Sequence, residues 1–154
     1  MGNGFGIKCK KCGYNYVAMD GIGYMFPVEY SDTVRDIREG KYGDEYKMFF
    51  EKHKDAAVNC GNETAVCTKC GHLDSVMNLS LYLPKDGNNS DGCVMPRVLE
   101  EDFDKCLEYD HTCSECGGKM LIISPEDEIR NGALKCPICG EILIEDKDVK
   151  IIWD

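Results

Sequence analysis

The chain has 154 residues, of which 43% are apolar or aromatic and 30% charged, a composition that folds and does not stay disordered. Its formal net charge of −10 sets it against a phosphate backbone unless a local basic patch overrides the global field. Its longest apolar runs, such as 120–123, are far too short to cross a bilayer. The start, Met1-Gly2-Asn3-Gly4-Phe5-Gly6, lacks the charged-then-apolar pattern of an export signal, so a cytoplasmic location is expected.

In that compartment the 11 cysteines read as metal ligands and not as a disulfide framework. The first pair, Cys9-Lys10-Lys11-Cys12-Gly13, leads into Tyr14-Asn15-Tyr16. Gly21-Ile22-Gly23-Tyr24-Met25-Phe26-Pro27 then predicts a turn and an extended piece ended by proline. Ser31 or Asp32 can cap a short helix running to about Arg38 and stopped by Gly40. A second helix is expected from Asp44, with Tyr46, Phe49, Phe50, His53 and Ala57 on one apolar face.

After the second pair, Cys67-Thr68-Lys69-Cys70-Gly71-His72, the two-residue alternation from Val76 to Leu83 predicts one half-buried strand, ended by Pro84. Residues 85–92 are the most loop-like stretch, and the charge shifts there. Residues 1–90 hold 11 Lys/Arg against 12 Asp/Glu, whereas residues 91–154 hold 7 against 16. Two domains are therefore expected, 1–90 and 91–154, the first with a helical insertion at about 31–57. In the second, Val98, Leu99, Phe103, Cys106 and Leu107 predict a helix over 98–107. The third pair, Cys113-Ser114-Glu115-Cys116-Gly117, feeds a strand at 119–123. The fourth, Cys136-Pro137-Ile138-Cys139-Gly140, feeds strands at 142–144 and 149–153, with a turn at 146–148.

Two cysteines three apart on a tight turn aim both sulfurs at one point, and the following glycine accepts a positive φ. Four such turns supply eight thiolates, Cys9, Cys12, Cys67, Cys70, Cys113, Cys116, Cys136 and Cys139, enough for two tetrahedral Zn²⁺ sites. Pairing the third turn with the fourth leaves 19 residues between them, an ordinary zinc spacing, and the first then joins the second across 54 residues. The alternative is nested: first with fourth, second with third. Lysines 8, 10, 11 and 69 are expected around the first site, offsetting thiolate charge. Cys106 is expected in the core, and Cys60 and Cys93 as spare thiols. His53 is expected to pack as an aromatic, and His72 and His111 to lie beside the turns without ligating.

These repeated C-x-x-C-G turns with following strands resemble the zinc-ribbon (rubredoxin-like) class. Residues 9–83 resemble uncharacterised bacterial zinc-ribbon proteins in Gly21-x-Gly23-x-x-Phe26-Pro27, Lys41-Tyr42-Gly43 and Leu79-Ser80-Leu81-Tyr82-Leu83-Pro84. The resemblance implies a small α+β fold built from two zinc-ribbon modules, and metal binding without a defined activity. Cys9-x-x-Cys12-Gly13-Tyr14-x-Tyr16 and Cys136-Pro137-x-Cys139-Gly140 also resemble rubredoxin itself, which implies iron and one-electron transfer. The long separation of these two halves weighs for zinc. No catalytic constellation accompanies the cysteines. The expectation is a non-enzymatic zinc protein with a protein partner; a nucleic-acid-binding regulator is the charge-disfavoured alternative, and an iron electron carrier the other.

Overall fold

The computed structural model describes residues 2–85 and 92–153. It is a small α+β structure with antiparallel sheets. The polypeptide divides into two units, each discontinuous in sequence. Unit 1 comprises Met1–Gly23, Asn62–Val76 and Asp110–Asp154, and unit 2 comprises Tyr24–Gly61 and Met77–Tyr109. This is not a division into 1–90 and 91–154, and most of the loop on which that boundary was drawn (86–91) lies outside the described residues.

Unit 1 is built on one sheet. Strands β1 (Gly2–Lys8), β2 (Asn15–Gly21), β4 (Asn62–Cys67), β5 (Leu73–Met77) and β9 (Ile144–Trp153) lie in the order β5-β4-β2-β1-β9, and β8 (Met120–Ile122) pairs with β4. A short helix, α4 (Pro125–Arg130), follows β8. Ile7, Ala18, Leu73, Leu134 and Leu143 form one core with Cys9 and Cys136. Ala65 and Met120 form another with Cys67 and Cys113. Alternation along β4 serves both: Ala65 and Cys67 enter the second core, while Val66 packs against the first.

The expected turn at 146–148 does not divide two strands. β9 is continuous and absorbs the extra residues as a bulge, since Phe5 pairs with Lys150 but Ile7 pairs with Glu145. Glycine makes the close approach feasible. A Cβ on Gly6 would stand 2.6 Å from the Val149 Cβ and 2.8 Å from the Asp146 carbonyl oxygen, and one on Gly4 would stand 2.8 Å from the Ile151 Cβ.

Unit 2 contains α1 (Phe26–Arg38), α2 (Asp44–Lys52) and α3 (Pro96–Asp102), with a sheet ordered β3-β6-β7 from Ala57–Val58, Leu81–Pro84 and Phe103–Leu107. Ala57, Tyr82, Val94, Leu99 and Phe103 form its core. Pro27 opens α1 and does not end an extended piece, because a helix's first turn has no use for the missing N–H. Ser31 and Asp32 therefore lie inside the helix. The second helix starts at Asp44 as expected and buries Tyr46 and Phe50, but Ala57 has already passed into β3.

Two single-element expectations become pairs of elements. The strand at 76–83 is interrupted between β5 and β6 by buried Leu79, held at φ 62°. Its N–H donates to the Asn59 carbonyl at 2.8 Å, and Asn78 Oδ1 accepts from the Ser80 N–H at 2.8 Å. These bonds hold a conformation that costs a non-glycine residue about 1–2 kcal/mol. The helix over 98–107 stops at Asp102, and 103–107 is strand β7. Cys106 is thereby exposed and not part of the core.

Replacing Gly6 by alanine should lower the stability of the metal-loaded protein by about 1–3 kcal/mol through overpacking against β9, read as a lower urea midpoint. An unchanged midpoint would contradict the close β1–β9 approach.

Candidate metal centres

The four C-x-x-C-G segments adopt one repeated turn. Its first cysteine N–H donates to a carbonyl five residues on: Cys9 to Tyr14 at 2.8 Å, Cys67 to His72 at 2.9 Å, Cys113 to Gly118 at 2.8 Å and Cys136 to Glu141 at 2.8 Å. The glycine N–H donates back to that cysteine's carbonyl, and Gly13, Gly71, Gly117 and Gly140 have φ of 77°, 74°, 68° and 73°. In every turn the first cysteine is buried and the second more accessible.

The turns converge as Cys9, Cys12, Cys136 and Cys139 in one group and Cys67, Cys70, Cys113 and Cys116 in the other, with the sulfurs of each within 4.8 Å of one another. All eight expected residues are thus brought together, but the pairing is nested, not sequential. The ordinary 19-residue spacing misled because β1 pairs with β9 and β4 with β8, which carries the first turn to the fourth and the second to the third. Both groups lie in unit 1, so there is not one site per half of the chain.

The donor set fits a tetrahedral thiophilic ion. Sulfurs about 2.3 Å from a zinc ion stand about 3.8 Å apart. Here Cys9–Cys139 and Cys12–Cys136 are each 3.5 Å apart, Cys67–Cys116 3.4 Å and Cys70–Cys113 3.7 Å. The Cys12 N–H holds the Cys9 thiol down to about 7 against the effect of burial, with the Lys11 N–H assisting. The Cys70 N–H acts likewise on Cys67, held to about 6; Cys70 and Lys69 N–H lie 3.5 and 3.4 Å from its sulfur. Tyr14 N–H lowers Cys12, yet burial and the neighbouring thiols Cys136, Cys139 and Cys9 outweigh it and push Cys12 up to about 12. Cys70 is also pushed up to about 12, the His72 N–H being outweighed by Cys116, burial and the other thiols. Four crowded thiols cannot all ionise alone; a cation among them relieves that repulsion.

The lysines divide differently from the expectation. Lys69 belongs to the second group, and Lys8 is engaged by Asp146 at 2.8 Å, fastening β1 to the bulge of β9. Lys10 and Lys11 remain exposed on the first turn. His72 and His111 belong to neither thiol group, although both flank them through backbone bonds. His53 packs on Phe49, with ring centroids 4.9 Å apart. Cys60 is buried, and burial pushes its thiol up to about 12, against the Thr33 hydroxyl; Cys93 is exposed. Glu100, Glu101, Asp102 and Asp104 are solvent-exposed.

Two contacts were not legible beforehand. A Cβ on Gly118 would stand 3.0 Å from the Cys67 sulfur and 2.9 Å from the Lys69 Cβ, so this glycine packs directly on the second group. A Cβ on Gly71 would meet Pro137 Cα at 3.7 Å, which sets a turn of the second group against one of the first. A glycine beside a C-x-x-C-G turn was the available signal for Gly118.

The chain matches no protein-family model, no curated protein and no solved structure. No helix among the described residues is long and apolar enough to cross a membrane.

Nested pairing makes a stoichiometric prediction. Cys12→Ser and Cys136→Ser should each remove the same bound ion, so their combination should lose no more than either alone. Cys12→Ser with Cys70→Ser should lose both. Metal analysis after dialysis reads the result, and loss of both ions from Cys12→Ser/Cys136→Ser would contradict the pairing. Gly118→Ala should weaken the second site selectively, seen as faster release of one ion to a chromogenic chelator with the other unchanged.

Proposed function

We propose that this chain is a non-enzymatic zinc protein whose two four-thiolate sites are structural and whose surface serves a protein partner. The observation that carries the reading is the convergence of four thiols, and no other ligand type, in each group. Four thiolates complete a tetrahedron and leave no position for water or substrate, unlike a catalytic site with three protein ligands. The buried cysteines also belong to the two cores of unit 1, so an ion there would cross-link the elements around it. Zinc supplies charge neutralisation and directional bonding; it has no redox chemistry to offer.

One feature favours a second reading at the first site. Cys9-x-x-Cys12-Gly13-Tyr14 and Cys136-Pro137-x-Cys139-Gly140, the segments that resemble rubredoxin, contribute to the same group despite their separation in sequence. The donor set suits iron as well as zinc, which supports a one-electron carrier as the alternative.

Protein produced without metal supplementation should contain about two zinc ions per chain and be colourless. Chelation should abolish the near-ultraviolet circular dichroism of Tyr14 and Tyr16, which pack in the first core. Stoichiometric iron with visible thiolate-to-iron absorption would replace zinc by iron. Retention of the folded signal after complete metal removal would overturn the structural role.

A further inference from the structure

Unit 2 contains a cleft of about 610 Å³, within the size range of small-molecule sites. Buried Tyr30 and Phe50 and half-buried Val34 form its apolar wall. Arg35 and Arg38 reach it from α1, and Lys54 reaches it from the segment after α2. Arg35 and Arg38, near the end of α1, also complement that helix's negative terminus. Lys54 has no such helical role, and its convergence on the same cleft is a separate observation.

The charge placement is unusual for this unit, which holds 9 Lys/Arg against 15 Asp/Glu. Arg35 is bridged to Asp32 at 2.7 Å, and Glu39, the one carboxylate among the described residues of the cleft lining, shares Lys41 with Asp36, at 3.2 and 2.7 Å respectively. Arg38 and Lys54 make no ion pair or hydrogen bond among the described residues. Two cations unpaired among the described residues, beside an apolar wall, suit a ligand with an anionic head and an apolar body, and a phosphate monoester, with about −1.5 to −2 at neutral pH, offers them more charge than a carboxylate, which carries one. A guanidinium further suits phosphate by offering two parallel N–H donors.

We propose that this cleft is a binding site for a small phosphate monoester, with the phosphate held by Arg38 and Lys54 and its apolar portion against Tyr30, Val34 and Phe50. The site is independent of the metal centres, which belong to the other unit.

The test is calorimetric titration of the metal-loaded full chain with hexyl phosphate, hexanoate and hexanol. Hexyl phosphate should bind saturably, at least about tenfold more tightly than hexanol and several-fold more tightly than hexanoate. Arg38→Gln with Lys54→Gln should weaken it at least about tenfold, whereas Lys147→Gln in unit 1 should stay within about twofold of the parent. Cys93 also lines the cleft and is exposed, which supplies a readout in the unaltered chain. Its alkylation, followed by peptide mapping, should slow at saturating hexyl phosphate, while alkylation of exposed Cys106 should not. Absence of saturable binding, equal affinity for hexanoate, an unaffected double variant or unprotected Cys93 would each overturn the proposal.

Discussion

Convergence of four cysteine turns on two points is the constraint on which the rest of unit 1 depends. The first group closes a loop of 123 residues between Cys12 and Cys136, and the second closes 42 residues between Cys70 and Cys113. Closing the inner loop first shortens the outer one and favours the outer closure by about 0.4 kcal/mol, because closure entropy grows only with the logarithm of length. A structural zinc site in a small peptide contributes about 10–16 kcal/mol at neutral pH. If zinc fills these groups, sulfur–metal bonding therefore outweighs loop topology. Topology decides which cysteines meet, and ligand chemistry decides how firmly they hold.

The two groups are not isolated staples on a separately formed core. Cys9 and Cys136 pack with Ile7, Leu73 and Leu143, while Cys67 and Cys113 pack with Ala65 and Met120. β4 borders both cores through opposite faces, and Gly71 lies against Pro137 between the turns. Displacing one group would thus disturb side chains next to the other. This coupling through ordinary packing needs no special pathway between the sites.

The local chemistry was far more legible than the long-range connections. Each C-x-x-C-G segment encodes its own turn, so all eight candidate ligands could be named from residues within five positions of one another. Their pairing depends on β1 meeting β9, and the glycine-rich β1 carries little strand signal because Gly2, Gly4 and Gly6 have no side chains to alternate. Leu79 defeated the periodicity argument in the opposite way. The alternation through it is real, but tertiary hydrogen bonds impose a left-handed residue that splits the strand. Likewise, 98–107 contains an apolar pattern that fits helix, yet the pairing of β7 with β6 claims its second half. The cleft in unit 2 joins Lys54 to side chains of α1, a meeting that no local pattern announces.

The antiparallel pairing of β1 with β9 also gives the structure a direction of mechanical resistance. Gly2 lies opposite Trp153 at one end of the ladder and Lys8 opposite Ile144 at the other. Tension applied at Gly2 and Trp153 opens their ladder progressively inward from that end, so few backbone bonds share the load at once. The opening front then reaches the bulge fastened by Lys8 and Asp146 and, beyond it, the turns carrying Cys9 and Cys136. A thiolate-bound ion at that position would place a compact mechanical lock behind a readily peeled ladder.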